Sequence, residues 1–183
     1  MSQELIDAMF VPLSGEEVLA LCDGKANILT YPELHKYENI EDILLNGSCI
    51  ILYEYSNTNG NVFGHYTCVN KLDTGEYEMF DSFGVLPDKE RFFIDEAYRR
   101  KTNQDYPYLL TLLDRSGKNV SYNHYVFQRE DTSTCGRYVG LRILMKHMSL
   151  YEFAGMFIGR KFIPDYVVTY LTVAISRKNP NII

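Results

Sequence analysis

Hydrophobic positions along the chain mix helical and strand spacing, with no repeat, low-complexity stretch or linker, which reads as one α+β unit. Three start signals precede apolar runs in the first third: Ser14 with Glu17 before Val18 to Leu21, Thr30 with Glu33 around Pro32, and Asn39 before Ile40 to Leu45. They predict a mainly helical part over 1–45. Cys49 to Tyr53 reads as a strand buried on both faces, ended by the turn-rich Ser56 to Asn61. Val62 to Asn70 and Glu76 to Ser82 then flank Asp73-Thr74-Gly75, a three-residue hairpin loop with glycine at the left-handed position.

Further along, the charged stretch Asp88 to Arg100 reads as mostly helical, and Pro107 opens a short helix through Leu113. Val120 to Phe127 reads as a strand with Tyr122, His124 and Val126 on one face. After the Asp131 to Thr134 loop, Cys135 to His147 is apolar nearly all round, the mark of a central buried helix. Ser149 with Glu152 starts another helix, Pro164-Asp165 one more through Ile175, and Ser176 to Ile183 reads as a frayed tail. The parts make one domain over 1–183: helical to 45, a sheet region over 46–130, and a helical part over 131–175.

Length and charge narrow the class. A chain of 183 residues buries about 70% of the surface it exposes unfolded, which sets aside disorder, collagen and coiled coil. Apolar runs such as Ile50 to Tyr53 are far shorter than the roughly 20 residues of a membrane span, and Glu4 and Asp7 sit where a secretory signal needs a basic, then apolar, start. The expectation is an intracellular chain. Net charge −6 and a pI near 5.2 argue against a nucleic-acid surface, and the Arg99-Arg100-Lys101 cluster reads as a solvated face. Cys22, Cys49, Cys68 and Cys135 show no C-x-x-C spacing, so no zinc cluster, other metal site or disulfide framework is expected.

One of these cysteines stands apart. Cys135 follows Thr132-Ser133-Thr134, any of which can cap a helix, so its sulfur falls in a first turn where unpaired N–H groups favour a thiolate. Gly136 beside it leaves room for a substrate backbone. Taken alone, Cys135 reads first as a small buried hydrophobe, the commonest fate of an intracellular cysteine. The hairpin supplies what decides between them. With Leu72 opposite Glu76, the register sets His65 opposite Phe83 and Asp81 opposite Thr67, so His65 and Asp81 are diagonal neighbours on one face, roughly 7–8 Å apart at the backbone. An Asp–imidazole hydrogen bond there fixes the tautomer and leaves the other ring nitrogen for the thiol. Gln128, seven residues before Cys135, offers side-chain N–H groups that join the Cys135 amide as a two-donor oxyanion site.

Gly64-His65-Tyr66, Phe80-Asp81-Ser82-Phe83-Gly84, and Gln128 followed by Thr134-Cys135-Gly136-Arg137-Tyr138 resemble the adenovirus-type cysteine endopeptidases (adenain) and the related SUMO-specific Ulp-type proteases. The order His, acid, Gln, Cys is theirs and the reverse of papain's, where Cys comes first. The resemblance is strongest to the capsid-maturation proteases of virophages, polinton-like elements and other large DNA viruses. It extends to Tyr31-Pro32-Glu33-Leu34 before the first apolar strand and to Asp165, Val168, Leu171 and Thr172, covering about 14–175.

The resemblance implies a papain-like α+β fold, with a mixed sheet and a buried helix carrying the nucleophile. It implies Cys135 as nucleophile, His65 as base, Asp81 as orienting acid and Gln128 as oxyanion donor, with Gly64, Tyr66 and Gly136 lining the groove. Tyr66 stands where Trp is common. The implied activity is cleavage of capsid or other virion precursors at small-residue, often glycine-containing, sites by a monomer in the virion and the virus factory. Adenain's DNA and disulfide-linked peptide activators are not carried over, since the chain is acidic and no cysteine matches the one that peptide engages; no cofactor is expected, and Cys22, Cys49 and Cys68 read as buried thiols. Two rivals stay open: an isopeptidase acting on ubiquitin- or SUMO-type conjugates, and a catalytically silent scaffold.

Overall fold

Five strands form one mixed sheet in the computed structural model, which describes residues 2–56, 59–159 and 161–178. They are β1 (Asn27–Thr30), β2 (Ser48–Ser56), β3 (Val62–Lys71), β4 (Tyr77–Phe80) and β5 (Val120–Tyr122), adjacent in that order. β3 runs antiparallel to both β2 and β4, and each edge strand pairs parallel to its neighbour. The helices are α1 (Gln3–Ala8), α2 (Gly15–Leu21), α3 (Glu96–Lys101), α4 (Tyr108–Arg115), α5 (Cys135–Leu144), α6 (Leu150–Gly155) and α7 (Pro164–Lys178). Short 3-10 turns lie at Tyr31–Lys36, Ile40–Ile43 and Glu90–Phe93.

Alternation along β2 divides the core in two. Ile50, Cys68 and Phe80 face one side, packed with Val18, Tyr138, Val139, Phe153, Phe157 and Val168 from α2, α5, the α6 segment and α7. Cys49, Ile51, Tyr53, Val69, Tyr77 and Met79 face the other, against Tyr31, Leu34, Leu109, Leu112 and Leu113. With both faces covered, each large apolar side chain contributes about 1.5–3 kcal/mol by leaving water. Phe127 sits at an aromatic junction, in contact with Phe80, Tyr138, Phe153 and Phe157.

The helix α5 is buried along nearly its whole length because two glycines on one stripe let α2 approach. A Cβ on Gly136 would lie 2.7 Å from Val18 Cγ2, and one on Gly140 2.7 Å from Leu21 Cδ2. Arg142, on the same helix, is fully buried and forks onto Glu78 of β4 with two bonds of 2.8 and 2.7 Å, while also donating to the Met145 and Met148 carbonyls. That geometry ties the helix to the sheet while leaving neither charge without a partner.

Local signals hold closely. Ser14 and Glu17, and Ser149 and Glu152, make reciprocal capping boxes, and Glu33 accepts the Thr30 N–H. The hairpin register is the expected one: Leu72 N–H donates to Glu76 O, Gly75 has φ +81°, and Cys68 pairs with Phe80.

Other expectations need correction. Asn27–Thr30, placed in the helical part, is an edge strand on β2. Asn39 caps nothing with its side chain and donates to Asp42 instead. The second hairpin strand stops at Phe80 and the fifth at Tyr122, because the Asn123 side chain takes both backbone groups of Asp81 and replaces the next ladder step. The 88–100 stretch is helical only in pieces. In its basic cluster Arg100 is solvated, whereas Arg99 folds back onto Asp105 and the Arg91 carbonyl. The tail's first residues, Ser176 to Lys178, continue α7, with Arg177 paired to Glu4; 179–183, like Asn57 and Thr58 of the expected turn, lie outside the described residues. Among the described residues no helix is long and apolar enough to cross a membrane.

Candidate active site

The site grows out of the hairpin. His65 on β3 and Asp81, one residue past β4, are diagonal on one face, and His65 Nε2 lies 3.1 Å from Asp81 Oδ2. Asp81 Oδ1 accepts the Phe83 N–H at 2.6 Å, so the carboxylate is held from both ends. The Phe83 ring, in the turn after β4, stacks on the imidazole with centroids 4.9 Å apart. Both polar residues are buried.

With Nε2 engaged by Asp81, Nδ1 is left for the thiol. β4 ends at Phe80, so the β3 stretch before Cys68 lacks a β4 partner, and the start of α5 reaches it there. Cys135 hydrogen-bonds to His65 and receives the backbone N–H groups of Tyr66 and Gly136. Burial opposes the thiolate, but the His65 hydrogen bond and charge, with those N–H groups, hold the Cys135 thiol below its usual range. Burial likewise opposes the imidazolium, and Asp81 and Cys135 together hold His65 well above its usual value. Both shifts favour the charged form of each partner, thiolate at Cys135 and imidazolium at His65.

The first turn of α5 is not capped by a hydroxyl as expected: Thr134 makes no side-chain cap, because its hydroxyl is taken by Asp165 in the first turn of α7. Asp165 also accepts Thr132 Oγ1 at 3.1 Å and the Arg129 N–H at 3.1 Å. Ser133 N–H is anchored on the Met9 carbonyl at 2.8 Å. The loop before the cysteine is thus braced from two other elements, which leaves the Gly136 N–H of the turn to the sulfur.

Gln128 enters the same neighbourhood through Ser82. The Ser82 carbonyl accepts the N–H groups of Phe127 and Gln128, its hydroxyl donates to Gln128 Oε1 at 2.7 Å, and Gln128 Nε2 donates to the Thr132 carbonyl at 2.9 Å. Each residue from Phe80 to Gly84 has a distinct role, with Phe80 in the core, Asp81 on His65, Ser82 on Gln128, Phe83 on the ring, and Gly84, at φ +69°, where a Cβ would meet the Tyr125 carbonyl at 2.9 Å.

The expected groove glycines are placed differently. The space at Gly136 is filled by Val18, Tyr66 and Leu13, so that glycine serves helix packing, and at Gly64 the Leu52 side chain occupies the position a Cβ would take. Tyr66 is half-buried and its ring lies against Gly136, next to the sulfur. Cys22, Cys49 and Cys68 are free, buried thiols, with burial raising all three and pushing Cys49 up to about 12.

Sequence reasoning missed Glu90. It lies in the charged stretch that reads only as mostly helical, yet it is 1% exposed and sits with His65 and Asp81, their ligand-type atoms all within 4.8 Å of one another. These three are also the described residues best grouped to hold a metal ion. His65 Nε2 and Asp81 Oδ2 already satisfy each other there, so no metal is needed to explain the arrangement.

Fold and site together describe an α+β protein whose central hairpin and helix start bring a cysteine, a histidine and a carboxylate into one buried chain. No family model matches the sequence. It is 39% identical over 170 residues to the uncharacterized protein V9 of Sputnik virophage, a match covering 89% of this chain and 95% of that protein. The chain belongs to the family of that virophage protein.

Proposed function

We propose that the chain is a cysteine endopeptidase of papain-like fold that processes capsid or other virion precursors. The observation that carries the reading is the hydrogen-bonded chain Cys135–His65–Asp81, with the thiol held down and the imidazole held up in pKa. The virophage relationship fits a viral substrate.

In this reading the Cys135 thiolate attacks the scissile carbonyl, and the C–N bond breaks as His65 passes its proton to the leaving amine. Water then attacks the thioester, giving its proton to His65, and the sulfur leaves as thiolate. Each tetrahedral oxyanion is met by the Cys135 N–H and by the Gln128 amide hydrogen not given to Thr132. Asp81 keeps the ring oriented and steadies its charge without taking the proton.

The test is co-expression with capsid precursors from the same genome, with the new termini mapped by mass spectrometry. Cys135→Ala and His65→Ala should abolish cleavage, and Cys22→Ala, Cys49→Ala and Cys68→Ala should leave it. Cleavage that persists in Cys135→Ala would sink the assignment. Capture of Cys135 by a ubiquitin-like C-terminal electrophile, with precursors left uncut, would replace it by the isopeptidase.

A further inference from the structure

Glu90 is not used by the thiol–imidazole–carboxylate chain, yet it is built into its floor. Its Oε2 accepts the Tyr55 hydroxyl from β2, while its Oε1 is buried without a hydrogen-bond donor. Beside it lies Asp81, itself fully buried. Both Asp81 oxygens are engaged as acceptors, by the Phe83 N–H and by His65, and two bare carboxylates this close repel strongly where water does not screen them. One proton removes both problems: carried on Glu90 Oε1, it gives that atom a partner and leaves one negative charge where there would be two.

We propose that Glu90 is a positioning residue, its neutral carboxyl donating a hydrogen bond from Oε1 to Asp81 and so holding Asp81 on His65 while Tyr55 holds the other oxygen. The inference rests on the endopeptidase reading for its effect on rate, though not for the shared proton itself. The titratable groups facing Glu90 are Tyr55 and Tyr53 on β2, His65 on β3 and Asp81 after β4. On its own segment Arg91 donates to the Asp88 and Asp105 carbonyls, and Asp88 is engaged by Tyr31 and the Leu110 N–H. Burial pushes Glu90 up to about 7, with Asp81 adding to the rise and the His65 charge opposing it. Below that value the donor is present; above it the two carboxylates repel and Asp81 loses a partner.

The test reads the proton and the rate separately. With carbon-13 in the glutamate side-chain carboxyls, one carboxyl resonance of the full chain should titrate near neutral pH, vanish in Glu90→Gln, and shift to higher pH in Tyr55→Phe, which removes the donor to Oε2. In precursor cleavage, Glu90→Ala should lower kcat on the order of 10-fold to 100-fold with KM little changed. Glu90→Gln, whose amide N–H replaces the O–H, should recover most of that loss and lack the wild-type decline as pH rises through about 7. A Glu90 midpoint below about 5, or a Glu90→Gln pH profile identical to the wild type, overturns the proposal. A neutral-range midpoint in a wild-type chain that cuts nothing would sink the endopeptidase while the shared proton stood. Cleavage with an ordinary acidic midpoint would do the reverse.

Discussion

Ser82 Oγ donates to Gln128 Oε1 over 2.7 Å, and that bond pins one end of an amide whose facing the Thr132 carbonyl dictates. Its oxygen meets the hydroxyl and its nitrogen the Thr132 carbonyl, which can only accept, so the reversed amide would oppose two oxygens. A residue next to the orienting acid thereby aims the side chain that the proposed mechanism gives to the oxyanion. Gln128→Ala should cost about 10²-fold or more in kcat. Ser82→Ala, which unpins the amide oxygen and leaves the side chain held at Thr132 alone, should cost less, on the order of 10-fold, with KM nearly constant. Steady-state kinetics on a cleaved peptide would check both, and a Ser82→Ala effect confined to KM would contradict the orienting role.

The four cysteines should separate cleanly under iodoacetamide. Cys135, lowered by His65 and two backbone N–H groups, should label at about pH 6 to 7 faster than an ordinary thiol. Cys22, Cys49 and Cys68, raised by burial, should label only on unfolding. The sign of the pH dependence follows from the two shifts. The ion pair is lost on the acid side as pH falls through the lowered Cys135 value, and on the alkaline side as pH rises through the raised His65 value. His65→Ala should remove the low-pH reactivity, and mass spectrometry of labelled peptides reads all four sites at once.

The buried fork between Arg142 and Glu78 carries stability rather than chemistry. Arg142→Ala should destabilise by about 3–5 kcal/mol in urea unfolding, because it strands Glu78 beneath the sheet. The double change Arg142→Met with Glu78→Met should regain much of that loss, since it removes both charges and keeps volume.

Helix approach at Gly136 predicts a rescue. Gly136→Ala drives a methyl to within 2.7 Å of Val18 Cγ2 and should cost about 1–3 kcal/mol, with lost activity as Cys135 shifts. Val18→Ala in the same chain should restore part of both, measured by melting temperature and turnover. If it restores neither, the glycine's role is not the space for Val18.

Much of the fold and site is legible in the residues, and the failures share a cause. Capping boxes and the hairpin register are local rules, so Ser14 with Glu17, and the placing of His65 with Asp81, follow from spacing alone. What depends on contacts far apart in sequence does not. The Thr134 hydroxyl has the sequence position of a cap, but Asp165, 31 positions on, claims it. Gly136 has the size of an opening, but α2 fills it. The fifth strand is cut short by a single side chain, Asn123, reaching back to Asp81. Glu90 is hidden for the same reason, since nothing near it in sequence reveals Tyr55 and Asp81 waiting across the sheet.

The three-residue loop at Asp73-Thr74-Gly75 acts as a length gauge for chemistry roughly 20 Å away along the strands. Because side chains alternate faces, any length change there that slips the ladder by one residue carries Asp81 to the opposite side of the sheet from His65, whereas a slip of two keeps them on the same side. Insertions and deletions in this turn are therefore under a parity constraint that other surface turns escape. A relative with a longer hairpin should show either a compensating bulge or an even change in count.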